Sequence, residues 1–131
     1  MSGLRIDLTG RVALVTGSTR GIGRAIAGTL ATAGARVAVT GRDQARADAA
    51  ALEIAEQTGA ETRGYAADVS ETAQAVALVD AVEKDFGQLD ILVNNAGLTR
   101  DNLLIRLKDD DWDAVINANL RGAFATCRAA S

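Results

Sequence analysis

Residues 16–23 read Thr-Gly-Ser-Thr-Arg-Gly-Ile-Gly, between a short apolar run and an alanine-rich run. Gly17, Gly21 and Gly23 have the spacing Gly-x-x-x-Gly-x-Gly. Glycines at a strand-to-helix junction let a backbone approach a pyrophosphate closely, and the helix that follows points free N–H groups and a positive dipole end at that anion. The spacing differs from the commoner Gly-x-Gly-x-x-Gly fingerprint. A tight turn with close helix packing would also use such glycines. Placement between the first strand and the first helix favours the phosphate reading. Gly17, Ser18, Thr19, Arg20, Gly21, Ile22 and Gly23 are therefore candidate cofactor-binding residues, with the Ser18 hydroxyl suited to a phosphate contact.

Three further stretches fall at the ends of apolar runs. The second run ends Val39-Thr40-Gly41-Arg42, with no acid at its tip. An acid there would accept bonds from a free ribose 2′-hydroxyl and repel a 2′-phosphate. Arg42 and Arg20 suit a 2′-phosphate instead, at roughly 1.5–3 kcal/mol for each charge-assisted bond. Two solvated surface arginines are the bland alternative. NADP(H) is favoured over NAD(H). Asp68-Val69 follows the third run. The carboxylate suits an adenine amino group and the valine suits the ring face, although a turn-forming Asp ahead of a helix cap would look the same. Asn94-Asn95-Ala96-Gly97 ends the fourth run, where Asn95, Ala96 and Gly97 could line a nicotinamide riboside or form a simple turn.

The elements that must position these residues are legible from periodicity. Val12–Thr16, Arg36–Thr40, Thr62–Ala67 and Asp90–Asn94 read as strands. Ile22, Ala25, Ile26, Thr29, Leu30 and Ala33 recur at helical spacing, and Gly34 is a stop. Asp43 can cap a second helix that ends near Thr58–Gly59. Ser70 is read as the cap of a third, with Ala75, Leu78, Val79, Val82 and Phe86 on its apolar stripe and Gly87 closing it. A loop with Leu98, Leu103, Leu104, Ile105 and Leu107 precedes a helix from about Asp109. On that helix Trp112, Val115, Ile116, Asn119, Leu120 and Ala123 share one face. Strand and helix alternate with short connections, which implies an α/β fold with a doubly wound parallel sheet of about four strands and five helices.

The 131 residues fit one domain, and 48% apolar with 24% charged residues is ordinary for a soluble globular chain. A net charge of -3 gives no basic footprint for nucleic acid. No apolar run reaches the ~20 residues that span a membrane, and the first residues carry no apolar signal segment. One cysteine, Cys127, excludes an internal disulfide and fits a reducing compartment. With no histidine, triads using His and typical zinc sites are excluded.

Thr16–Gly23, Asp68-Val69, Asn94–Gly97 and Asn119 together resemble the short-chain dehydrogenase/reductase family. The segment from Gly97 to Trp112 is similar to the branch of bacterial 3-oxoacyl-[acyl-carrier-protein] reductases. The resemblance covers nearly the whole chain, but only the N-terminal half of such a protein. It implies that residues 1–131 form a dinucleotide-binding Rossmann domain without the C-terminal catalytic half. It also implies NADP(H), an acyl-carrier-protein-linked substrate, fatty-acid synthesis, a cytoplasmic location and a homo-oligomer. Family catalysis uses Asn, Ser, Tyr and Lys. The Asn maps onto Asn119, as a support for its helix and for a water near the lysine; a satisfied core amide is the alternative. The Tyr-x-x-x-Lys pair is absent, because the single tyrosine is Tyr65 and Val69 stands four residues on. Turnover by this chain alone is not expected. Another short-chain dehydrogenase, or a non-enzymatic NADP-binding module or folding fragment, are the competing readings. In the family's sheet the fourth strand lies between the first and a fifth, so an exposed fourth strand or the last helix is expected to drive self-association.

Overall fold

The computed structural model describes residues 6–97 and 106–131. Four strands alternate with helices in the order β1 (Val12–Val15), α1 (Gly21–Thr32), β2 (Arg36–Gly41), α2 (Gln44–Thr58), β3 (Thr62–Ala66), α3 (Thr72–Phe86) and β4 (Ile91–Val93). Then α4 (Asp109–Ile116) runs through a π-helical turn, Asn117–Arg121, into α5 (Gly122–Ala130). Local chemistry sets several of these limits. The Asp43 carboxylate accepts from the Arg46 N–H and caps α2. Gly59 and Gly87 end α2 and α3 at positive φ, a conformation that costs glycine little. Asp109, Asp110 and Asp111 occupy the first turn of α4, at the positive end of its dipole.

The strands form one parallel sheet in the order β3-β2-β1-β4. All four β1 residues are fully buried, so this run is apolar throughout rather than alternating. Val12 and Leu14 face a cluster with Val79 and Val82 of α3 and Ala125 of α5. Ala13 and Val15 face a second cluster with Ala27 and Ala31 of α1 and Ile54 of α2. Helices therefore cover both faces of the sheet, as a doubly wound fold requires.

The expected stripe of α3, Ala75, Leu78, Val79, Val82 and Phe86, is its buried face, whereas α1 and the last helix differ from the periodic reading. On α1 the line against the sheet is Gly23, Ala27 and Ala31, flanked by half-buried Ile26 and Leu30. Ile22, Ala25 and Thr29 face outward, and Ile22 is 75% exposed. Small residues win this face because they let the helix axis approach the sheet. Ser70 does not cap α3; Glu71 holds the cap position with no side-chain bond, and the Ser70 hydroxyl donates to Asp68. On the last helix Trp112 and Leu120 are 60% and 63% exposed, while Gly122, Ala125 and Thr126 are buried. The π turn rotates the face that follows it, so one 3.6-residue stripe does not run from Trp112 to Ala123. The expected apolar loop residues Leu98, Leu103, Leu104 and Ile105 lie outside the described residues.

Candidate dinucleotide-binding site

The C-terminal ends of the strands open onto a cleft of about 490 Å³. In an open α/β sheet this is where ligands bind. β1 delivers Thr16 to its floor. The Thr16 hydroxyl is buried; it donates to the Val93 carbonyl at 3.4 Å and accepts from the N–H groups of Asn95 and Ala96, both at 3.0 Å. One threonine side chain thus ties the end of β1 to the turn after β4. Asn95 returns a bond from its side-chain amide to the Gly17 carbonyl at 3.0 Å.

Glycine is required at three points. A Cβ on Gly17, at φ +61, would stand 2.9 Å from the Ala96 Cα. A Cβ on Gly23 would overlap the Gly17 carbonyl and the Asn95 amide. Gly21 opens α1 at φ +60. Arg20, at the cap position of α1, makes no side-chain cap bond, so no side chain closes the first turn. Unpaired N–H groups there, with glycines that keep side chains out of the way, suit a phosphate group.

Gly17, Thr19, Arg20, Gly21, Arg42, Asp68, Val69, Asn95, Ala96 and Gly97 all line this one cleft, although they come from four separate segments. Four candidates, Ser18, Ile22, Gly23 and Asn119, are not among its lining residues. Ser18 is 0% exposed; its hydroxyl donates to the Val15 carbonyl at 2.7 Å and accepts from the Thr40 N–H at 2.9 Å. These bonds fasten the glycine loop to the end of β2 rather than offering a hydroxyl to phosphate. Gly23 is buried beneath the loop, and Ile22 points into solvent. Asn119 sits in the π turn, and its Oδ1 would meet a Cβ on Gly97 at 2.8 Å. Its side chain therefore lies against the end of the Asn95–Gly97 turn. One residue past the π turn, Gly122 packs backbone to backbone on Val69, where a Cβ would stand 2.9 Å from the Val69 carbonyl. The π turn thus brings one helix against both the Val69 and the Gly97 sides of the cleft.

Thr16, Thr40 and Ser70 escaped the sequence reading as site residues, although Thr40 and Ser70 line the cleft and Thr16 anchors its floor. Their signal was position alone: hydroxyl residues at or just after the ends of apolar runs. Tyr65 is elsewhere. It lies on β3, donates to Asp85 at 2.8 Å, and does not line the cleft. Burial, and then the bond to Asp85, push its hydroxyl well above the usual phenol range.

The family model for short chain dehydrogenase matches residues 11–131. The chain belongs to the short-chain dehydrogenase family. It is 44% identical over 124 residues to the 3-oxoacyl-[acyl-carrier-protein] reductase of Escherichia coli (strain K12), covering 95% of this chain and 49% of that protein. A short-chain dehydrogenase from Burkholderia cenocepacia, solved in complex with NADP, superposes with a TM-score of 0.88 at 45% identity, over 94% of this chain and 50% of that one. L-sorbose reductase from Gluconobacter frateurii, solved with NADPH and L-sorbose, gives 0.92 at 32% identity, over 97% and 48%. The chain spans about half the length of the curated relatives it matches. Among the described residues, no helix is long and apolar enough to cross a membrane.

Proposed function

We propose that this chain is the NADP(H)-binding part of an oxidoreductase that reduces 3-oxoacyl thioesters, carried on acyl carrier protein, to 3-hydroxyacyl thioesters. The observation that carries the reading is the convergence of Gly17–Gly21, Arg42, Asp68-Val69 and Asn95–Gly97 on one cleft. The glycine loop and the open first turn of α1 hold the pyrophosphate. Arg20 and Arg42 hold the 2′-phosphate, Asp68 and Val69 the adenine, and Asn95–Gly97 the riboside at the nicotinamide end. The bound cofactor supplies hydride. The similarity to 3-oxoacyl-[acyl-carrier-protein] reductases supports this choice of substrate.

Asn119 is proposed to support the nicotinamide end, through its position against Gly97. The chain has no Tyr-x-x-x-Lys pair to protonate the developing alkoxide. A general acid is typically worth about 10²–10⁴-fold in rate. Its expected behaviour is cofactor binding without turnover.

Fluorescence titration of the 131-residue chain with NADPH and NADH tests this reading. NADPH saturates the site more tightly than NADH, and added 3-oxoacyl thioester leaves its absorbance unchanged. Arg42→Asp lowers the NADPH/NADH preference by about tenfold or more, since one charge-assisted bond exceeds the 1.4 kcal/mol that a factor of ten requires. An unchanged preference removes the 2′-phosphate assignment, and steady oxidation of NADPH by the thioester removes the binding-only assignment.

A further inference from the structure

Asp68 is held from two directions. Its N–H donates to Oε1 of Gln74, in the first turn of α3, at 2.8 Å. Its Oδ1 accepts from the Ser70 hydroxyl at 2.6 Å and from the Ser70 N–H at 3.1 Å. Asp68 is half-buried and lines the cleft, and its Oδ2 has no partner among the described residues. Two donors on one oxygen restrain the carboxylate and leave its other oxygen open as an acceptor.

We infer that Ser70 is a positioning residue that makes Asp68 selective for a 6-aminopurine over a 6-oxopurine. The inference rests on the adenine-binding role proposed above for Asp68. A carboxylate is acceptor-only when ionised, so a fixed Oδ2 rewards an exocyclic amine and repels a carbonyl oxygen in its place. A carboxylate free to turn would blunt both effects, because either oxygen could swing toward the N–H edge that a 6-oxopurine also presents. Val69 beside it is buried, so the half-buried Asp68 meets solvent chiefly from the cleft, the side a bound purine would cover. Ser70 is also on the cleft wall, so its removal opens the space in which Asp68 would rotate.

The test compares NADPH with its hypoxanthine analogue, deamino-NADPH, by fluorescence titration of the 131-residue chain. The wild-type chain prefers NADPH. Ser70→Ala shrinks that preference several-fold, mainly by weakening NADPH, and Ser70→Thr, which keeps the hydroxyl, restores it. Thermal unfolding of each variant confirms that it is folded. The inference is overturned if Ser70→Ala weakens both dinucleotides equally, if it changes neither, or if the wild-type chain does not discriminate between them. Failure of the wild-type chain to bind either dinucleotide overturns the cofactor reading itself, and this inference with it.

Discussion

At the scale of single residues, the cleft depends on hydroxyl groups that make no use of acid-base chemistry. Thr16 satisfies two partly buried N–H groups of the Asn95–Ala96 turn at once. Ser18 joins the glycine loop to β2. That the glycine pattern, Asp68 and Asn95 meet at one cleft was legible, because each closes an apolar run and such runs end together in a parallel sheet. The roles of Thr16 and Ser18 were not, since a hydroxyl at a strand end reads equally well as a cap, a ligand or a core bond. Only the third dimension decides. Thr16→Val keeps the shape and β-branching but leaves two N–H groups without a partner. A fully buried unsatisfied group costs about 1–3 kcal/mol, an upper bound for these partly buried ones. The denaturation midpoint is expected to fall by a cost of that order, and NADPH affinity to fall with it because the turn lines the cleft. A variant as stable as the parent would show that water replaces the hydroxyl.

At the scale of elements, strand boundaries followed the sequence within a residue or so, and so did the buried face of α3, but the faces of α1 and of the last helix did not. A strand buried on both sides needs only a continuous apolar run. A helix packed tightly against a sheet places its smallest side chains inward, so Gly23, Ala27 and Ala31 lie beneath more hydrophobic residues that the periodicity favoured. The start of the sheet also depends on a side chain that no strand pattern reveals. Asp90, just before β4, accepts from the Val12 N–H at 2.8 Å and from the Gln88 side chain at 2.6 Å, with Arg11 at 3.8 Å. The bond from Val12 is the main reason its carboxyl sits below the usual aspartate range. A carboxyl lowered by folding stabilises the native state above its unfolded pKa, near 3.9, and that contribution is lost as the pH falls through the lower folded value. Urea unfolding at pH 7 and pH 3 is expected to show a smaller loss of stability on acidification in Asp90→Asn than in the parent. Equal losses would mean that the carboxylate does not contribute through its charge.

At the scale of the molecule, β4 is an edge strand of the described sheet, next to β1. Ile91, Leu92 and Val93 are only half-buried, although their side chains pack on the two core clusters. A strand in this position offers unpaired backbone groups along its outer edge, and no proline or charge interrupts the three residues. The last helix adds exposed apolar surface, with Leu120 at 63% and Phe124 at 58% exposure. Arg128 lies over the Phe124 ring at 4.8 Å and shields only part of it. Either surface would bury apolar area on meeting a second copy, at about 25 cal/mol per Å² before the costs of association. Sedimentation velocity over a wide concentration range is therefore expected to show reversible or progressive self-association. Leu120→Glu and Phe124→Glu together separate the two routes, since both side chains face solvent and their replacement leaves the core intact. Loss of association in the double variant assigns it to the helix, persistence assigns it to the β4 edge, and a parent chain that stays monomeric throughout removes both.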